Sequence, residues 1–231
     1  SMASLLLPVI YLAFISLGLP DALLGAAWPT MYPQLGAQVS WAGGVSMIIS
    51  ACTILSALAS DRLNERLGTG RVTAISVATT AVALFGFSFC HAFWQLCLWA
   101  IPYGLGAGSV DAALNNYVAL HYKSRHMSWL HCMWGVGASL GPVIMGQALA
   151  GSGWQGGYRI IGILQVVLTV VLLFSLPLWK LPQDAMGGGP FTPQHRSFPE
   201  LLKITGVPEV LVCFLCYCAL ESTAGMWASS Y

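Results

Sequence analysis

An all-helical bundle that spans a membrane is the fold class this sequence predicts, and three observations carry the expectation. Hydrophobic residues make up 57% of the 231 and charged residues only 7%, where water-soluble domains carry about 25% charged residues. The apolar residues gather into runs near the roughly 20 residues that cross a hydrocarbon core of about 30 Å as a helix. Short breaks, polar or rich in Gly and Pro, separate these runs. The same composition excludes a nucleic-acid role, because nine Lys and Arg against eight Asp and Glu leave no basic patch.

Taken in order, seven apolar runs fit that ruler: about 5–32, 41–60, 71–92, 94–121, 127–150, 158–180 and 207–231. The first holds Leu17-Gly-Leu-Pro-Asp21-Ala-Leu-Leu24. A charged break from Asp61 to Gly70 follows the second, and His91-Ala-Phe-Trp follows the third. The fourth contains Gly104-Leu-Gly-Ala-Gly-Ser-Val-Asp111-Ala-Ala-Leu-Asn115-Asn116-Tyr117. The fifth carries Gly135, Gly137, Gly141-Pro142 and Gly146, small residues that allow close helix crossing and a Pro that bends. After the sixth comes a long Gly- and Pro-rich stretch from Leu181 to Gly206, which reads as a flexible linker. Residues 1–180 are therefore expected to form a six-helix transmembrane bundle, 181–206 a cytoplasmic linker, and 207–231 a seventh helix that opens a second bundle. Ser1 before Met2 reads as a remnant, and no cleavable leader is expected.

Positive charges give the orientation. Arg62, Arg66, Arg71, Lys123, Arg125, Lys180, Arg196 and Lys203 fall in breaks on one side, and only Arg159 falls on the other. The amino terminus and linker are thus expected in the cytoplasm of a multi-pass protein of the cell (inner) membrane. Trp41, Trp94, Trp154 and Trp179 lie near run ends and read as interfacial anchors. Cys213-x-x-Cys216-x-Cys218 has a metal-like spacing, but no second cluster accompanies it, and Cys in lipid is a small hydrophobe. No metal or other cofactor is expected. His121, His126 and His131 likewise lack a carboxylate at the spacing a zinc protease needs, so no enzyme is expected.

Carboxylates inside apolar runs are costly, which makes each one a candidate functional group. Asp21 and Asp111 sit at similar depth in the first and fourth runs, in short matching contexts. Three intervening crossings invert the second copy, so two inverted three-helix repeats would bring both near the midplane. Asn115 lies four residues after Asp111, on the same helical face. Glu221 in the seventh run is a third carboxylate, one helical period from Tyr217 and near Trp227.

Six spans, a long linker and a seventh span resemble the first half of a major facilitator superfamily transporter with the start of its second half. The break after the second run strengthens the resemblance: Ala57-x-x-x-Asp61-Arg62, then Arg66, Gly68, Gly70 and Arg71, is similar to the superfamily signature G-x-x-x-D-R-x-G-R-R. Ala57 replaces the first Gly, and two additional residues separate the halves of the signature. Asp111-x-x-x-Asn115-x-Tyr117 and His131-x-x-Trp134-x-x-Gly137-Ala138 resemble the fucose permease branch, with different polar residues at the start of the second frame.

The resemblance implies a cavity among helices one, four, five and seven, completed by a C-terminal half. Asp21, Asp111 and Glu221 are the candidates for proton coupling. Trp28, Asn115, Asn116, His131, Trp134, Tyr217 and Trp227 are the candidates for substrate contact, and Asp61, Arg62, Arg66 and Arg71 for gating. Proton-coupled transport of a small polar solute, a monosaccharide in the first instance, is the expected function. Sodium coupling and a non-transporting receptor on the same fold are the alternatives.

Overall fold

The computed structural model describes residues 2–180 and, beyond them, Lys203, Pro208, Glu209, Val212, Cys213 and Cys216. Tyr217, Glu221 and Trp227, like most of the linker, lie outside the described residues. Among those described, the regular elements are helices: α1 (Leu6–Asp21), α2 (Leu23–Gln34), α3 (Ala42–Leu67), α4 (Thr69–Ser88), α5 (Phe93–His121), α6 (Ser124–Leu149) and α7 (Gly153–Phe174), with short 3-10 turns such as Leu176–Lys180.

The first apolar run is one span made of two helices, α1 and α2, interrupted at Ala22. Pro20 is the cause. It has no N–H to give to the preceding turn, and its ring crowds that turn, so the helix ends one residue later. The charged break expected over 61–70 shrinks to a single residue, Gly68. Helix α3 continues through Asp61, Arg62 and Arg66 to Leu67, and Gly68 at φ 84° turns the chain into α4. Hydropathy marks where hydrocarbon ends, and a helix can continue past that edge into water.

Among the described residues, five spans are long and apolar enough to cross a membrane: Leu6–Gln34, Val39–Leu67, Thr69–Ser88, Ser124–Leu149 and Gly153–Phe174. The sixth, α5, is 29 residues long, but Asp111, Asn115 and Asn116 dilute its apolar character. Its glycine-rich stretch is instead buried against protein, with Tyr103, Gly104, Gly106, Gly108, Val110 and Leu114 all covered.

Helix α5 packs along α3 and α4, α1 packs along α6, and α4 packs along α7. Exchanging the first three spans for the last three turns the α1–α6 contact into the α5–α3 contact and leaves α4 paired with α7. This is the symmetry of two inverted three-helix repeats. The helix crossings repeat it in detail. Gly18, three residues before Asp21, sits where a Cβ would collide with the Trp134 carbonyl oxygen on α6. Gly108, three residues before Asp111, sits where a Cβ would collide with Ser56 and the Thr53 backbone on α3.

Leu6, Ile10, Phe14, Leu84, Leu114 and Ile161 fill the interior, while Met47, Leu55, Val82 and Phe174 are exposed as lipid-facing residues must be. Trp41 and Trp94 are exposed near helix starts, as anchors would be. Trp154 and Trp179 are buried instead. Their indole N–H groups donate to Gln34 Oε1 at 2.9 Å and Ser175 Oγ at 3.1 Å, so both join the packed interior.

Candidate functional site

The interruption after Pro20 leaves Asp21 as the last residue of α1, at the exposed face of the bundle. Two donors from other helices meet its carboxylate. The Tyr103 hydroxyl on α5 donates to Oδ1 at 2.8 Å, and the Trp134 indole N–H on α6 donates to Oδ2 at 3.0 Å. Tyr103 is itself buried, and a phenol hydroxyl in an apolar interior requires a partner. Hydrogen bonds to an ionised acceptor are about twice as strong as neutral ones, so this pair of contacts ties α1, α5 and α6 at one point.

Asp111 is placed differently. Its side chain is exposed, and its hydrogen-bonding partner lies on its own helix. Asn115 Nδ2 donates to Asp111 Oδ1 and to the Asp111 carbonyl, both at 2.9 Å. His131 of α6, also exposed, lies near enough to act on Asp111 electrostatically. Helix α6 thus supplies the Trp134 donor to Asp21 and, three residues earlier, carries the exposed His131. Two polar groups result: Asp21 with its donors Tyr103 and Trp134, and Asp111 with Asn115. Carboxylates and an amide so placed can hold a proton and can exchange hydrogen bonds with hydroxyls.

Not every expected residue joins these groups. Trp28 does not. It follows the interruption at Ala22 and is buried, donating its indole N–H to the Val39 carbonyl at 2.7 Å and packing on Tyr32 and Phe93. Its spacing of seven from Asp21 would have put it on the same face only along a continuous helix. Asn116 is exposed, about 100° around α5 from Asn115. Tyr117 is buried against His121 and Trp179, away from Asp111.

Asp61, Arg62 and Arg66 are exposed along the last turns of α3, and Arg71 is exposed in the first turn of α4, so Gly68 is the pivot between them. Sequence reasoning missed Tyr103. The signal available was a phenol in an apolar run, eight residues and about two turns before Asp111.

The sequence matches the Major Facilitator Superfamily over residues 10–231. Among curated relatives it is 29% identical over 169 residues to the 4-hydroxybenzoate transporter PcaK of Pseudomonas aeruginosa, covering 69% of this chain and 37% of that protein. It is 26% identical over 117 residues to the cis,cis-muconate transport protein of Acinetobacter baylyi, covering 49% of this chain and 28% of that protein. The chain thus spans less than half the length of either relative. Among solved structures, a peptide transporter POT in complex with alafosfalin superposes with a TM-score of 0.67 at 18% identity, over 95% of this chain and 48% of that one. At that identity the likeness shows the fold alone. The family and these relatives are transport proteins and not enzymes.

Proposed function

The chain belongs to the Major Facilitator Superfamily, and from that premise we propose that it forms the first half of a secondary active transporter that couples a small polar solute to protons. The observation that carries this reading is the Asp21 carboxylate held by Tyr103 of α5 and Trp134 of α6, at a place in the repeat that matches Asp111. Alternating access needs groups that change state with the ion and are shared by helices that move. A carboxylate held by donors from two other helices meets both needs.

The solute we assign is a small organic acid. The curated relatives carry the names of 4-hydroxybenzoate and cis,cis-muconate transporters, and His131 beside Asp111 is a basic group an anion can use. A monosaccharide is the competing solute, favoured by the Asp111–Asn115 hydrogen-bonding pair. In this reading 181–206 is the cytoplasmic linker and 207–231 the seventh helix, with Glu221, Tyr217 and Trp227 facing the same cavity. The amino terminus is cytoplasmic in an inner membrane. Asp61, Arg62, Arg66 and Arg71 act as a gate around Gly68.

The test is uptake by the complete protein in proteoliposomes, with 4-hydroxybenzoate, cis,cis-muconate and fucose as solutes. An imposed pH gradient should drive accumulation of an organic acid without sodium. Accumulation that follows a sodium gradient and ignores pH would replace the proton, and saturable binding without flux would make the protein a receptor.

A further inference from the structure

Behind Asp21 lies a buried polar contact that transport chemistry does not itself require. Pro20 has no N–H, so the carbonyl of Ser16, one turn earlier, loses its helical donor. In a bilayer interior an unsatisfied backbone group is costly. Gln165 of α7 supplies the missing donor: its Nε2 donates to the Ser16 carbonyl, and the Ser16 hydroxyl donates back to Gln165 Oε1 at 3.2 Å. Gln165 is only 2% exposed. It stands in an otherwise apolar run, Ile160-Ile-Gly-Ile-Leu-Gln165-Val-Val-Leu, where a Leu would enter lipid more cheaply. Ser16, Pro20 and Gln165, together with Thr80 and Tyr103, line a small cavity about the size of one water. Tyr103 therefore borders this cavity as well as donating to Asp21.

We propose that Gln165 is a positioning residue for Asp21: by closing the carbonyl that Pro20 frees, it fixes the bend at which α1 ends and so holds the Asp21 carboxylate between Tyr103 and Trp134. The inference rests on the transport reading and deepens it, because it assigns the coupling geometry to a residue of α7 that touches neither solute nor proton. A purely structural Gln165 would only satisfy the Ser16 carbonyl. Pro20→Ala separates the two roles, since the new N–H satisfies that carbonyl from within α1 but removes the bend.

The complete protein in proteoliposomes is assayed with 4-hydroxybenzoate for exchange at equal pH and for accumulation under a pH gradient. Thermal stability is followed in detergent. In Gln165→Leu, accumulation should fall about tenfold, the factor that one lost hydrogen-bond partnership corresponds to, while exchange falls much less. In Pro20→Ala/Gln165→Leu, thermal stability should return and accumulation should not. Accumulation that stays at the wild-type level in Gln165→Leu, or returns together with stability in the double variant, overturns the positioning role alone. A wild type that neither exchanges nor accumulates 4-hydroxybenzoate, cis,cis-muconate or fucose overturns the transport reading and this proposal with it. Should Gln165→Leu fail to fold, Gln165→Asn, whose shorter amide stops short of the Ser16 carbonyl, is read in the same two assays with the same outcomes.

Discussion

Asp21 and Asp111 each follow by three residues a glycine at which two helices cross, yet different things reach them. Asp21 receives an O–H from α5 and an N–H from α6, so its charge is built into the packing of three helices. Asp111 receives an amide from its own helix, and it stays exposed. The repeat thus supplies two equivalent positions with different neighbours. A change of charge at Asp21 would act on contacts between helices; one at Asp111 would act on a group held within its own helix.

The strongest break in this comparison is at the crossings. Gly137 sits where a Cβ would collide with the Ile15 carbonyl oxygen on α1. Gly137→Leu should cost about 3 kcal/mol or more, because the obstacle is backbone and cannot turn aside, and loss of folded protein on size exclusion is the measure. Next is Asp111→Asn. Pairing with Asn115 remains possible, but the proton site is gone, and pH-driven accumulation should drop about a hundredfold while exchange survives. Wild-type accumulation in that variant would remove Asp111 from coupling.

Tyr103→Phe removes one of the two donors to Asp21. It should lower accumulation about tenfold and reduce thermal stability, as loss of a hydrogen bond to a charged group does. An unchanged variant would mean that the clamp at Asp21 has no part in coupling. The smallest effect belongs to Trp28→Phe, which loses its bond to the Val39 carbonyl. About 1 kcal/mol of stability should go, with the solute dissociation constant unchanged by equilibrium binding. A large change in affinity there would return Trp28 to the site.

Much of this was legible in the sequence because lipid makes polarity conspicuous. Asp21, Asp111 and Asn115 stand out against Leu, Ala and Gly, and their spacing gives the shared face and the repeat. What was not legible depends on partners. Tyr103 counts as apolar in a run until its hydroxyl is seen to need an acceptor on another helix. Gln165 looks like a tolerated impurity until Pro20 is known to free the Ser16 carbonyl opposite. Trp28 lies beyond the break that follows Pro20, and spacing along the chain does not carry a face across such a break. Trp154 and Trp179 stand near helix ends, and nearness to an end does not say which way an indole points.

The dilution of α5 by Asp111, Asn115 and Asn116 has a consequence for biogenesis. A nascent segment with a carboxylate at mid-depth leaves the translocon reluctantly, since the penalty is about 3 kcal/mol even on insertion scales. α3 and α4 are synthesised before it, and they form the surface against which its glycine-rich stretch packs. The ribosome therefore delivers α5 to a receptacle that is already in the bilayer, and protein contacts along its glycine-rich stretch can offset the cost of its polar residues.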